Sequence, residues 1–412
     1  MHLKNAPSCP QPLPGALEQD TVRRQMITGH DATRTTHRRL RIVVQVQLMG
    51  IVLIGLISTT APAQTKPSPD QPGAAKVDHD GTVHATNIST PLSRFESEAA
   101  KSAFLRFSQQ RTGTPGPKDI SAIRAMNENY AKVLDAKMKD IYPVSIEKKT
   151  IGSVQTEVIT PRSGVAESNQ HRVLISLHGG AFMWGEGSEA EAESIPIASL
   201  GRITVIAVNY RLAPENHFPA ASEDVASVYR SLLQQYKPAS IGIYGCSAGG
   251  ILTAEAIAWF DKVNLPMPGA IGTFCGSAAP ISGDSVHQTV ALTGMPYHEY
   301  LPFTNEAAFD DAVWEASLPY FSGVDPNDPL IYPVSSPTLL TKFPPTLLIA
   351  GSRDFTLSSL FFTQRKLTSA GVEAELHVWD GLLHAFFMNP DLPESKEAYD
   401  VIVSFFNRHL AR

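Results

Sequence analysis

The periodicity of apolar and polar positions changes near residue 140. Before that point, apolar residues recur at helical spacing over 95–107 and over 120–134, with a proline- and glycine-rich break at 114–117 between them. After it, short apolar runs rich in β-branched residues alternate with amphipathic stretches. Because most of these runs are apolar throughout, they are typical of parallel strands covered on both faces. The pattern predicts an α/β fold with a mostly parallel sheet and helices on both faces.

Eight strands and several helices are predicted in this second part. The segment 278–333 breaks the alternation because it is long, dense in proline, glycine and aromatic residues, and poor in strand pattern. We interpret it as an insertion above the sheet. The predicted helices cover 220–236, 357–370 and 396–409, and the predicted strands cover 144–151, 154–159, 173–177, 203–209, 241–244, 270–274, 346–350 and 374–378.

The N-terminal 63 residues have the order of an export signal. A cluster of arginines at 34–41 precedes an apolar run at 42–58, and Ala-Pro-Ala at 61–63 is the small-x-small pattern of a cleavage site. We therefore expect an exported protein, periplasmic or secreted. The alternative is a membrane anchor through 42–58, which Gln45 and Gln47 disfavour.

Composition and charge exclude several classes of protein. Of the 412 residues, 43% are hydrophobic and 18% charged, and the net charge is -6, so neither a disordered chain nor a nucleic-acid-binding protein is expected. Three cysteines form no CxxC pair and no disulfide framework, and the histidines lack metal-binding spacing. The sequence at 185–190 resembles a dinucleotide fingerprint but does not directly follow a strand. We expect neither a metal nor a cofactor.

A candidate nucleophile lies where the strand at 241–244 ends. The sequence Gly-Cys-Ser-Ala-Gly-Gly at 245–250 leads into a helical pattern, which places a G-x-S-x-G motif at a strand-to-helix turn. Such a turn needs small neighbours, because it holds the serine in a strained backbone conformation with the hydroxyl exposed. The alternative for the motif alone is an ordinary glycine turn. The context favours Ser247 as a nucleophile.

A candidate oxyanion site lies about seventy residues earlier. The strand at 173–177 runs into His-Gly-Gly-Ala-Phe at 178–182. Glycines let the backbone come close to a ligand, so the N–H groups of Gly179 and Gly180 can point at a carbonyl oxygen. The N–H of Ala248 can supply a third donor at the start of the following helix. The alternative is a tight turn without a binding role.

A serine nucleophile needs a general base and an acid that orients the base. In this architecture the acid and the base follow late strands, in the order serine, acid, histidine. Asp354 follows the strand at 346–350, and His384 follows the strand at 374–378. Asp380 competes as the acid but shares a loop with His384, which fits less well. The sequence predicts a triad of Ser247, Asp354 and His384.

Two further motifs, at 209–215 and 218–220, complete a family pattern. Together with 178–182 and 245–250, they make the chain from about residue 93 onward resemble the hormone-sensitive-lipase family of α/β-hydrolases. The resemblance implies an α/β-hydrolase fold and hydrolysis of carboxylic esters. It also implies a helical cap, built from the N-terminal helices and the insertion, and a mainly structural role for the 209–215 motif.

Two positions depart from the family pattern. Ala181 stands where members commonly have a third glycine, and Cys246 stands where they commonly have an acidic residue. Cys246 is expected to be a small buried residue, although a reactive thiol is the alternative. A bond between Cys246 and Cys275 stays open, because both follow neighbouring strands.

The predicted organisation is a signal peptide at 1–63, a flexible linker at 64–92, N-terminal cap helices at 93–142 and a catalytic domain at 143–412 that contains the cap insertion. The predicted activity is that of a serine carboxylesterase acting on short- to medium-chain esters through an acyl-enzyme. The alternatives are a lactone or amide hydrolase with the same triad, or a non-catalytic protein that binds a ligand on this fold.

Overall fold

The computed structural model describes residues 76–79, 83–84, 89–109, 119–293, 318–325 and 327–411. The predicted signal peptide, the alternative membrane anchor, most of the predicted linker and the centre of the insertion lie outside the described residues. The chain divides into two units, Met1–Asn87 and Ile88–Arg412. In the first unit, the described residues form a short antiparallel ribbon of β1 (Lys76–Val77) and β2 (Val83–His84).

The second unit is built on an eight-stranded sheet. The strands are β3 (Val144–Ile151), β4 (Val154–Pro161), β5 (Val173–Leu177), β6 (Thr204–Val208), β7 (Ile241–Cys246), β8 (Ala270–Phe274), β9 (Thr346–Gly351) and β10 (Ala374–Trp379). Their order in the sheet is β10-β9-β8-β7-β5-β6-β4-β3, and all pairings are parallel except β3 with β4 and β4 with β6. This confirms the predicted fold class.

Helices cover both faces of this sheet. Along β5, Ile175 belongs to one hydrophobic core and Leu174 to another, as the alternation of side chains across a strand requires. The helices are α1 (Glu98–Gln109), α2 (Ile120–Ile141), α3 (Ser188–Gly201), α4 (Ala220–Leu232), α5 (Ala248–Lys262), α6 (Asp284–Thr293), α7 (Pro337–Leu340), α8 (Leu357–Ser369) and α9 (Pro393–His409), with 3-10 turns at Glu167–Asn169, Pro238–Ser240, Pro319–Phe321, Pro333–Ser335 and Phe386–Met388. None of the described helices is both long and apolar enough to cross a membrane.

Arg124 links helix α2 to the loops at the carboxyl edge of the sheet by hydrogen bonds and an ion pair. Arg124 donates from Nε to the carbonyl of Met183 at 2.8 Å and from Nη2 to the carbonyl of Ala213 at 2.8 Å. It also forms a bidentate pair with Glu215 at 2.8 and 2.7 Å. This pair gives the 209–215 motif a structural task, as the family resemblance implied.

Candidate active site

Ser247 occupies the sharp turn between β7 and α5. Its backbone has φ 57° and ψ −121°, a strained conformation for a residue other than glycine. The neighbouring glycines allow this turn to press against the end of β5. A Cβ on Gly245 would lie 2.4 Å from the carbonyl oxygen of Leu177, and one on Gly249 would lie 1.8 Å from the same atom. Larger residues cannot occupy either position without displacing the turn.

His384 and Asp354 are brought together by the loops after β10 and β9. His384 Nδ1 lies 2.9 Å from Asp354 Oδ1, and the aspartate is only 1% exposed. The same oxygen accepts hydrogen bonds from the N–H and hydroxyl of Thr356 at 2.9 and 2.8 Å. The ring of His384 stacks on Phe355 with centroids 4.4 Å apart. These contacts fix the imidazole, and its Nε2 remains as the nitrogen that can serve the nucleophile.

Asp380 is engaged elsewhere. Its carboxylate accepts from the Ser352 hydroxyl at 2.9 Å and from the Ser93 hydroxyl. These hydrogen bonds hold the pKa of Asp380 below its usual range. The structure therefore pairs His384 with Asp354 and not with the competing acid.

The predicted set of oxyanion donors needs one correction. The N–H of Gly179 donates to the carboxyl oxygen Oε1 of Glu193 at 2.9 Å, so it is not available to a substrate. The N–H groups of Gly180 and Ala248 have no partner among the described residues, and the same holds for Ala181. Ala248 is the first residue of α5, where helix N–H groups are unpaired. The geometry favours Gly180, Ala181 and Ala248 as donors.

The carbonyl of Gly179 is held from the opposite side. His178 Nδ1 lies 2.8 Å from this oxygen, and the hydroxyl of Tyr210 donates to it at 3.3 Å and to the His178 carbonyl at 2.7 Å. Burial lowers the pKa of His178 to about 4, so the ring is neutral and its Nδ1 carries the proton that Gly179 accepts. The rings of His178 and Tyr210 also stack, with centroids 4.2 Å apart.

Two acids near the loop at 178–182, the half-buried Glu189 and the buried Glu193, were missed in the sequence. Glu189 and Glu193 lie one turn apart on α3, a helix that the sequence pattern did not reveal. Burial, and to a lesser degree the charge of Glu128, raises the pKa of Glu189 to about 7. Both acids line the same cavity as Ser247. The sequence does contain one indication of Glu189 and Glu193: two acids at i and i+4, shortly after the glycine loop at 178–182.

A disulfide bond joins Cys246, which precedes the nucleophile in the chain, to Cys275, which lies near Asp354 and His384. Cys246 is bonded to Cys275, 29 residues later, and both side chains are buried. The bond that the sequence left open is therefore present, because β7 and β8 end side by side and bring the two sulfurs together, and Cys246 is buried as expected. A Cys275 sulfur, an oxygen of Asp354 and a nitrogen of His384 all lie within 4.8 Å of one another.

Groups that could ligate a metal occur twice among the described residues. One is the set of Cys275, Asp354 and His384, in which the sulfur is disulfide-bonded and the imidazole is hydrogen-bonded to the acid. The other is a partly exposed cluster of Glu373, Glu375 and His409. In the first set the sulfur is held in the disulfide, and Asp354 and His384 are hydrogen-bonded to each other. This arrangement favours proton transfer by the Asp354–His384 pair over metal binding by the set.

Two adjoining cavities meet at His384, and one of them contains Ser247. A cavity of about 190 Å³ contains Ser247, His384 and the glycine loop, and residues from both ends of the insertion, Ile281 and Leu318, form part of its wall. A larger cavity of about 480 Å³ is walled by α1, α2 and the segment 381–392. The residues shared by both cavities are Trp184, Glu189, His384, Ala385 and Met388.

Comparison with known proteins agrees with this geometry. Residues 174–388 match the family model described as the alpha/beta hydrolase fold. The chain is 28% identical over 260 residues to an acetyl-hydrolase of Streptomyces hygroscopicus, which covers 62% of this chain and 80% of that protein. It is also 28% identical over 274 residues to the carboxylesterase/phospholipase LipF of Mycobacterium tuberculosis, over 62% of this chain and 69% of that protein.

Solved structures show the same likeness. The crystal structure of an esterase from the bacterial hormone-sensitive lipase family superposes with a TM-score of 0.64 at 25% identity, over 77% of this chain and 99% of that chain. The crystal structure of esterase E25 superposes with a TM-score of 0.63 at 28% identity, over 79% of this chain and 99% of that chain. The similarity therefore spans almost the whole of each compared structure.

Removal of the disulfide should destabilise the fold. We expect Cys246→Ala/Cys275→Ala to lose about 3–4 kcal/mol of unfolding free energy, because the bond closes a loop of this length in the unfolded chain. Denaturant unfolding followed by circular dichroism measures the loss. As a control, alkylation of the unreduced, denatured wild-type protein should leave both residues unlabelled. Labelling of both cysteines there would contradict the bond.

Proposed function

The chain belongs to the α/β-hydrolase fold family, in its hormone-sensitive-lipase group, and from that membership we propose that it is a serine carboxylesterase working through an acyl-enzyme. The observation that carries the proposal is the hydrogen bond from His384 to the buried Asp354 behind it, because His384 lines the same cavity as Ser247 and Ala248. Relatives named acetyl-hydrolase and carboxylesterase support it.

The chemistry follows from the positions of these groups. Ser247 Oγ attacks the ester carbonyl while His384 Nε2 takes its proton, and the carbonyl oxygen becomes an oxyanion that the N–H groups of Gly180, Ala181 and Ala248 stabilise. His384 then gives the proton to the departing alcohol. Water, deprotonated by the same imidazole, hydrolyses the acyl-enzyme. Asp354 holds the imidazole in the required tautomer and stabilises its charged form.

Ser247→Ala should abolish the activity without unfolding the protein. We expect kcat for p-nitrophenyl butyrate to fall by about 10⁴- to 10⁶-fold, because a triad without its nucleophile keeps only binding and oxyanion stabilisation. The thermal melting temperature, measured alongside, should stay close to that of the wild type. Activity above a tenth of the wild-type value would remove Ser247 from the mechanism. A wild-type protein that binds but does not hydrolyse esters would favour the non-catalytic alternative.

We propose a preference for short acyl chains. The cavity at Ser247 has about 190 Å³, below the range of about 300–1,000 Å³ that is usual for ligand pockets. Ile281 and Phe355 contribute to its largely apolar wall. Each added methylene gains up to about 0.8 kcal/mol of transfer free energy until the cavity is full, and overpacking then reverses the gain.

A panel of p-nitrophenyl esters should therefore peak in kcat/KM at about two to eight acyl carbons. Ile281→Ala enlarges the 190 Å³ cavity and should move the optimum to longer chains. Leu134→Ala, in the wall of the larger cavity only, is the matched control and should leave the optimum unchanged. A rate that rises steadily through long-chain esters, or an optimum moved by Leu134→Ala alone, would place the acyl group elsewhere.

We also propose that the protein is exported. The basic, apolar and small-residue series that ends at Ala63 supports this, as does a buried disulfide, which persists in oxidising compartments. Protein recovered from the envelope or the medium should begin near Gln64 in N-terminal sequencing. A soluble, active form that retains 1–63 would contradict cleavage.

A further inference from the structure

Glu193 contacts the glycine loop at 178–182, which carries proposed oxyanion donors. The triad mechanism described above does not involve this residue. Its side chain projects from the second turn of α3, and the residue is 8% exposed. Its Oε1 accepts the N–H of Gly179 at 2.9 Å. Glu193 also lines the cavity that contains Ser247.

The hydrogen bond to Glu193 means that both backbone polar groups of Gly179 are hydrogen-bonded. The N–H of Gly179 is held by Glu193, and its carbonyl is held by His178 and Tyr210. The carbonyl of Gly179 and the N–H of Gly180 belong to one planar trans peptide, so they point in opposite directions. Fixing Gly179 at both ends therefore fixes the direction of the Gly180 N–H.

The surroundings leave Gly179 little room to adjust otherwise. A Cβ at Gly179 would lie 3.3 Å from Glu193 Oε1 and 3.4 Å from both Glu189 Oε1 and the carbonyl oxygen of Cys246. The next residue, Gly180, has φ +92°, which a glycine adopts readily and other residues rarely adopt. A loop with this freedom needs external contacts to hold one conformation, and the Glu193 carboxyl supplies one of them.

We infer that Glu193 is a positioning residue for the oxyanion hole, which it serves by accepting the hydrogen bond from the Gly179 N–H. The inference rests on the proposed function, since the hole matters only if an oxyanion forms. It assigns the role to a residue that does not touch the substrate oxygen. Its loss should weaken binding of the tetrahedral state more than binding of the ester itself.

A change in the charge of Glu193 should affect the oxyanion hole as well. An ionised carboxylate beside the hole would repel the oxyanion, whereas a neutral carboxyl still accepts the Gly179 N–H. Burial, followed by the charge of Glu189, raises the pKa of Glu193 well above its usual range, although the Gly179 hydrogen bond opposes this. The other titratable groups around it are His178, Tyr210, Tyr244 and the catalytic His384.

The pH dependence follows from these groups. His178 is neutral because burial lowers its pKa to about 4, and burial raises the pKa of Tyr210 well above its usual range. Burial also raises the pKa of Tyr244. Hence none of these three neutralises a carboxylate at Glu193. As the pH rises through the pKa of Glu193, the negative charge appears, and kcat should fall on the alkaline side.

Three variants separate positioning from simple stabilisation. Glu193→Ala removes the acceptor, Glu193→Gln keeps an acceptor oxygen that cannot ionise, and Glu191→Ala is the matched control. Glu191 is a buried acid on the same helix, but it is paired with Lys139 at 2.6 Å and lines neither cavity at the serine. Melting temperatures and pH profiles are measured for all three beside the wild type.

We expect Glu193→Ala to lower kcat about 10- to 100-fold with little change in KM, since a loosened donor costs less than a deleted one. A trifluoromethyl ketone, which forms a tetrahedral adduct on Ser247, should bind more weakly by a similar factor. Glu193→Gln should keep the neutral-pH kcat and lose the alkaline decline. Glu191→Ala should keep wild-type kcat and inhibitor affinity.

The opposite results would overturn the inference. These are a Glu193→Ala kcat within threefold of wild type, an equal loss of kcat in Glu191→Ala, or an alkaline decline that persists in Glu193→Gln. If Glu193→Ala does not fold, the pH profile of Glu193→Gln decides the question. A wild-type protein that neither hydrolyses esters nor binds the ketone would overturn the proposed function itself, and the inference with it.

Discussion

The close approach of two turns at the end of β5 is the constraint on which the site depends. The carbonyl oxygen of Leu177 lies 2.4 and 1.8 Å from where Cβ atoms on Gly245 and Gly249 would be, so residues larger than glycine would displace the nucleophile turn. That contact brings the loop after β5 beside Ser247. Because parallel strands end at one edge of the sheet, the loops that carry Asp354 and His384 reach the same place.

The rigidity of the site comes from buried polar contacts around this approach. Asp354 is fixed by Thr356, and Gly179 is fixed at both ends by groups from the loop and from neighbouring elements. The disulfide of Cys246 and Cys275 joins the residue before the nucleophile to the region of the acid-base pair. Preorganisation of this kind matters because donors fixed before the reaction need no reorganisation when charge develops.

The sequence allowed much of this to be predicted, for identifiable reasons. The central parallel strands are predictable because they are apolar throughout, and Asp354 is preferred to Asp380 because Asp380 shares a loop with His384. Helix α3 was missed because it is buried on most sides, contains Pro196 and lacks an amphipathic pattern. The occupation of the Gly179 N–H was missed for the same reason, since its acceptor, Glu193, lies on that helix.

The central claim is that Ser247 forms a covalent acyl-enzyme. A direct measurement uses p-nitrophenyl N,N-dimethylcarbamate, whose carbamoyl group leaves serine slowly, followed by acid quench and peptide mass analysis. The account predicts one carbamoyl group per chain, on the peptide that contains Ser247, formed in step with one equivalent of p-nitrophenol. Release of p-nitrophenol with the group on another residue, or with no group on the protein, would contradict it.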